Sequence, residues 1–335
     1  MQRALQRFRR RPFLVGAVLV LLVVLVALLA PKRGPIEPRV RYAISTIEVG
    51  SAPASVVIHG STAWLTLSEA RAVERVDLKT NELSGDPIPV GEIPAGIVVD
   101  GVFVFVGFAE GSTLVQLDSV TGRVIRDSIQ VGRSPASLAV GEGSLWVAAL
   151  GEEKVARVGL AGSDTAADVF SAGGRFPSAV AVGFGSVWVA DVVDDSITRI
   201  DPSSPRRGQR KISVGVSPTS IAVDPSGVWV ANQGSENVSR IDPQTNEVVA
   251  TIQVGDGIGG IAAGNGYIWV TRAADDSLVR IDPRSDSLAG ARIPVGDNPQ
   301  GLAVASGVVL VANQADDTIT RIDLEAEEGS GSARR

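Results

Sequence analysis

Hydrophobic and polar positions along this chain fall into two regimes. Phe13 to Ala30 is an unbroken apolar run of 18 residues. After Arg41 the apolar residues come in short runs of four to seven, separated by clusters of Gly, Pro, Asn and Asp. Short apolar runs bounded by turn residues predict β-strands. No ten-residue helical pattern occurs after Ala30, which excludes an α/β fold.

The strand runs repeat. All five Trp fall into one register, Trp64, Trp146, Trp188, Trp229 and Trp269, and Phe105 and Leu310 fill it in the two remaining units. Successive steps are 41, 41, 42, 41, 40 and 41 residues. Fourteen residues before each position stands a Gly: Gly50, Gly91, Gly132, Gly174, Gly215, Gly255 and Gly296. Three residues later comes Pro53, Pro94, Pro135, Pro177, Pro218 or Pro299, with Ile258 the exception. An Arg-Ile-Asp triplet or a close variant follows the Trp register, as in Arg199-Ile200-Asp201 and Arg240-Ile241-Asp242.

Four strands per unit at a period near 41 predict one propeller blade each, hence an all-β, seven-bladed β-propeller of four-stranded blades. In the fifth unit the strands are expected near Ser220–Val223, Val228–Ala231, Val238–Ile241 and Val248–Val254. The seventh unit supplies three strands and then turns acidic and Gly/Ser-rich, so residues 324–335 read as a disordered tail. Residues 42–49 form a lone strand in fourth-strand register. They are expected to pair with the last blade, which closes the ring over residues 42–323 and removes two sheet edges.

Upstream, residues 1–12 read as a basic cytoplasmic segment, 13–30 as a transmembrane signal anchor and 31–41 as a Pro-rich linker. A helix of 18 residues spans roughly 27 Å, close to a bilayer's hydrocarbon thickness. Arg3, Arg7, Arg9, Arg10 and Arg11 precede the run. Cations flanking a span stay in the cytoplasm, so the bulk of the chain is expected outside it. The localisation expected is a single-pass cell-membrane protein with an extracytoplasmic domain. Secretion after signal cleavage is the alternative; against it, Leu28 would stand at the position −3 and Pro31 just after the cut.

Composition narrows the chemistry. There is no Cys and one His, His59, which excludes disulfides, thiolate chemistry and a multi-histidine metal site. Residues 1–41 hold nine cations and one anion; the rest carries 22 cations against 36 anions. A domain this acidic repels phosphate backbones, so no nucleic acid is expected.

The blades resemble the YVTN-type β-propeller repeat family, with units of the form vG-x-x-P, vWVaN and R-I-D-p; the best copies are Val214–Pro243 and Val295–Asp323. More distantly the chain is similar to the virginiamycin B lyase family. The resemblance covers about residues 42–323 and implies the seven-bladed fold and a secreted or surface setting. The lyase likeness implies chemistry by a histidine, a carboxylate and a divalent metal, and here the only His lies in a turn.

Residues present in every blade serve the blade. The Trp register is expected between blades and the triplet Arg in a ring of inter-blade hydrogen bonds. Departures from the repeat carry the candidates. The last position of the vWVaN segment reads Leu67, Phe108, Ala149, Asp191, Asn232, Arg272 and Asn313. Apolar on one side and polar on the other, it suits a ligand pocket. In the sixth unit Gly255-Asp256-Gly257-Ile258-Gly259-Gly260 replaces the Pro loop and Arg272 replaces Asn. Backbone N–H groups beside an Arg suit an anion, and pairing of Arg272 with Asp275 or Asp276 is the competing reading. The candidate ligand-binding residues are therefore Arg272, Asp191, Asn232, Asn313, Phe108, Gly257 and Gly259. No catalytic residue, metal ligand or cofactor is assigned. Calcium or magnesium would suit the acidic pairs Asp194-Asp195, Asp275-Asp276 and Asp316-Asp317, which also read as a solvated rim.

Two functions follow. The first is a non-catalytic binding module of the cell envelope, taking a small anionic ligand, a glycan or an envelope protein. The alternative is a metal-dependent lyase or lactonase.

Overall fold

Branched aliphatics dominate the second and third strand of each repeat, and residues of that shape fit a pleated, buried surface. The computed structural model describes residues 42–160 and 167–324. Seven antiparallel sheets follow one another along the chain, six of them built wholly from sequential strands. In the fifth blade these are Pro218–Asp224, Gly227–Asn232, Asn237–Asp242 and Glu247–Gln253. The expected strands lie within or within one residue of them.

The outer strand of the first and sixth blades is broken into two pieces, Glu82–Leu83 with Ile88–Pro89, and Ser287–Leu288 with Ile293–Pro294. Gly85 and Gly290, at φ +82° and +70°, bend the chain there. Positive φ interrupts a strand and costs glycine least.

The ring closes as expected. Tyr42–Glu48 forms the outer strand of the seventh blade, with Tyr42 opposite Leu324 and Glu48 opposite Thr318. Pairing thus runs to Leu324, one residue beyond the expected end of the propeller. The basic segment 1–12, the anchor 13–30, the linker 31–41 and the tail from residue 325 lie outside the described residues. Among the described residues no helix is long and apolar enough to cross a membrane.

The core consists of seven apolar clusters, each spanning two neighbouring blades. Trp188 and Ala190 of blade four pack on Val228, Val230 and Ile241 of blade five. All five Trp are fully buried. Large aromatics carry 150–250 Å² each, and here they supply the volume that a chain poor in aromatics otherwise lacks.

The triplet arginines tie blades together. Each of the five Trp lies under an Arg directly opposite it on the third strand, at 4.9–5.9 Å from guanidinium to ring centroid. From there Arg157 reaches the Pro202 carbonyl, Arg199 that of Pro243 and Arg240 that of Pro283, at 2.6–3.1 Å. Arg321 crosses the seam to the Leu78 carbonyl of blade one. One side chain therefore stacks on its own blade and donates to the next.

Candidate functional site

The loops before the first strand and after the second share one face. In every blade the first residue after the second strand donates its N–H to the carbonyl of the residue before the first strand, from Ser68 to Ala52 through Gln314 to Asn298. Around the axis on this face lies a funnel of 390 Å³. Six blades line it through the start of their first strands.

Each first strand carries a register shift at that point, for example between Pro218 and Ser220. A bulge leaves a residue out of the ladder and re-aims it. The bulges of six blades turn backbone and small polar side chains toward the funnel. Its hydrogen-bonding side chains are Ser55, Ser137, Thr219, Ser220 and Gln300. Thr219 Oγ1 is buried and has no partner among the described residues.

Hydroxyls at or beside the bulges also join neighbouring blades. Thr66 donates to the Ala95 carbonyl of blade two, Ser178 to that of Pro218 in blade five and Thr271 to that of Gln300 in blade seven. A Cβ on Gly260 would stand 2.6 Å from the Gln300 carbonyl, and one on Gly301 2.7 Å from that of Ala54. Neighbouring backbones meet there without room for a side chain.

No ionisable side chain is among the described residues lining the funnel. Its rim is different. The fourteen loops on this face hold 14 carboxylates against three arginines.

Of the expected ligand-binding residues, Gly259 lines the funnel. The second-strand residues do not. Leu67, Phe108, Ala149, Asp191, Asn232 and Asn313 are 0–1% exposed and Arg272 6%. Phe108 packs with Trp64 and Val73 of blade one, and the other six lie beneath the loop that begins with the recurring Gly. A Cβ on Gly215 would stand 2.7 Å from Asn232 Cγ, one on Gly296 2.6 Å from Asn313 Nδ2, and one on Gly174 would overlap the Asp191 carboxylate. The seventeen-residue spacing from Gly to this position therefore has a steric cause.

Below that Gly the polar side chains brace the blade. Asn232 Nδ2 donates to Asn237 Oδ1 and Ser239 Oγ, both at 2.9 Å. Asn313 Nδ2 donates to Thr318 and Thr320 at 2.9 and 3.0 Å. Asp191 accepts from Thr198 Oγ1 at 2.6 Å. Burial disfavours its charged form and raises its pKa to about 6, against the Thr198 hydrogen bond and the Lys211 charge.

Arg272 pairs with Asp275 at 3.0 Å, the competing reading of that residue. Asp275 also holds Arg292 at 2.6 Å. Gly257 donates its N–H to Asp256 and gives its carbonyl to Ala273 N–H. Gly259 sits apart from Arg272, against Thr271 and the Pro299 carbonyl of blade seven.

The acidic pairs act as latches. The first member stays in its blade: Asp194 holds Arg175 and Lys211, which bring its pKa down to about 2. The second reaches the next blade. Asp195, Asp276 and Asp317 accept from the N–H of Ser217, Asn298 and Ala52 at 2.8, 3.1 and 2.7 Å. Sequence reading missed this role, although the Asp-Asp doublets recur at one phase and so carried its signal. His59 is exposed, at the end of the first strand away from the funnel.

This architecture defines a seven-bladed β-propeller. No protein-family profile and no curated protein matches the sequence. Solved structures do match. A streptogramin B lyase is 14% identical with a TM-score of 0.72, covering 85% of this chain and 98% of its own. Virginiamycin B lyase from Staphylococcus aureus gives 14% and 0.72 over 85% and 100%. Kuenenia stuttgartiensis hydrazine synthase gives 17% and 0.72 over 87% and 98%. The structural neighbours thus include lyase-like seven-bladed propellers, and at this identity the likeness is one of fold.

Proposed function

We propose that this protein is a non-catalytic binding module of the cell envelope, membrane-anchored and extracytoplasmic, whose funnel takes an uncharged, hydroxyl-rich ligand such as a glycan. The observation that carries this reading is the funnel wall, built from hydroxyls, one carboxamide and bulged backbone without a charge. Its volume lies within the range of small-molecule sites. An acidic rim works against small anions, which sets the glycan ahead of the anionic ligand. Phe176, 44% exposed on the rim, offers a ring for the apolar face of a sugar. The chain enters the ring at Tyr42, on the face opposite the mouth.

The test is a glycan panel against the purified protein and a Ser220→Trp variant that fills the funnel. Binding lost in the variant supports the reading. Binding that survives it, or none to any glycan, sinks it. The alternative, a metal-dependent lyase or lactonase, draws on the likeness to streptogramin B lyase, and magnesium-dependent turnover of a cyclic ester would favour it.

A further inference from the structure

On the face opposite the funnel, blades four and five line a second, open cavity of 400 Å³. Arg199, Arg210, Ser186 and Asn246 contribute to its wall. Arg199 and Arg210 stand directly opposite each other on adjacent antiparallel strands. Side chains so placed leave their strands about 5 Å apart, and like charges there are destabilising.

Blade four is the exception in this. The triplet Arg faces Asp168 in blade three, Ala250 in blade five and Ser45 in blade seven. Among the described residues neither Arg199 nor Arg210 has an ion-pair partner. The one carboxylate in the wall, Asp201, is turned to Ser203, whose N–H and hydroxyl it accepts at 2.8 and 2.7 Å.

Arg199 is fixed in place. Its Nε donates to Ser186 Oγ at 2.9 Å and its Nη1 to the Pro243 carbonyl and Asn246 Oδ1. That leaves the Nη2 edge for another acceptor. Asn246 turns its oxygen to Arg199, so its Nδ2 donors remain. A rigid guanidinium, a second exposed one and an amide donor around one cavity match the oxygens of a tetrahedral anion.

We propose that this cavity binds a phosphate group, held between Arg199 and Arg210. The anion relieves the like-charge pair that no other blade carries. The site is separate from the funnel, so its test does not depend on the glycan reading.

The full-length protein in detergent is melted with inorganic phosphate and with chloride at matched ionic strength. Phosphate is expected to raise the Tm and chloride is not. In Arg210→Glu the cross-strand pair becomes an ion pair, so its Tm without phosphate should exceed that of the parent while the phosphate shift disappears. Arg210→Gln, which only removes a charge, should weaken phosphate at least tenfold. Glycerol 3-phosphate and short-chain phosphatidic acid then separate the sources. Equal shifts assign the group to a soluble phosphomonoester, and a stronger lipid effect assigns it to a headgroup. No phosphate shift in the parent, or the same shift in Arg210→Glu, overturns the proposal.

Discussion

Asp317 Oδ1 accepts the Ala52 backbone N–H at 2.7 Å, across the seam where the seventh blade meets the first. Both residues have positive φ, +57° and +54°. A hydrogen bond to a charged group contributes about 1.5–3 kcal/mol. Asp317→Ala should lower stability by about 2 kcal/mol in urea unfolding. Asp317→Asn, which keeps an acceptor and tolerates positive φ, should cost less. Equal losses in both would show that the latch does not act through this bond.

Asp191 sets a pH dependence. Its pKa in the folded protein is about 6, above its ordinary 3.8, so the folded state holds the proton more tightly. The stability this contributes is complete below about pH 4 and is lost as pH rises through 6. Asp191→Asn should therefore stabilise the protein at pH 8, by up to about 3 kcal/mol, and leave it unchanged near pH 4. Asp194 works in the opposite sense, its contribution being lost as pH falls toward about 2. Melting curves from pH 5 to 8 isolate Asp191. A variant no more stable than the parent at pH 8 would refute the buried carboxylate's role.

Gly215 and Asn232 test the steric account of the recurring Gly. A methyl group on Gly215 meets Ser235 Oγ at 2.4 Å and Asn232 Cγ at 2.7 Å. Overpacking of this kind costs about 1–3 kcal/mol. Gly215→Ala should destabilise by that amount, and by less in a Ser235→Ala, Asn232→Ala background, which removes the two nearest atoms. Additive losses would count against the contact.

Arg240 combines a stack on Trp229 at 5.4 Å with bonds to the Pro283 carbonyl and Asp286. Lys keeps the charge and loses the planar fork. Arg240→Lys should cost about 1–2 kcal/mol, read as a lower urea midpoint at unchanged slope. A variant indistinguishable from the parent would remove Arg240 from the inter-blade brace.

Blade number, strand order and ring closure were legible in the sequence. Each rests on a spacing, and a spacing survives folding: a Gly seventeen residues before Asn232 and a Trp eleven before Arg240 have counterparts at the same phase in other blades. The Trp and Arg roles followed, because residues that recur at one phase in five and six of the seven blades serve the repeat. Which groups face the axis was decided only by the tertiary structure. The bulge after Pro218 shifts the register of one strand against its neighbour, and no pattern of apolar positions records that shift. It turned Thr219 and Ser220 to the funnel, while Asn232 and Arg272 went into the blades beneath Gly215 and Gly255. The pairing of Arg199 with Arg210 is of the same kind. Eleven residues and a turn separate them in the chain, and only the closing of the outer strand sets two like charges side by side.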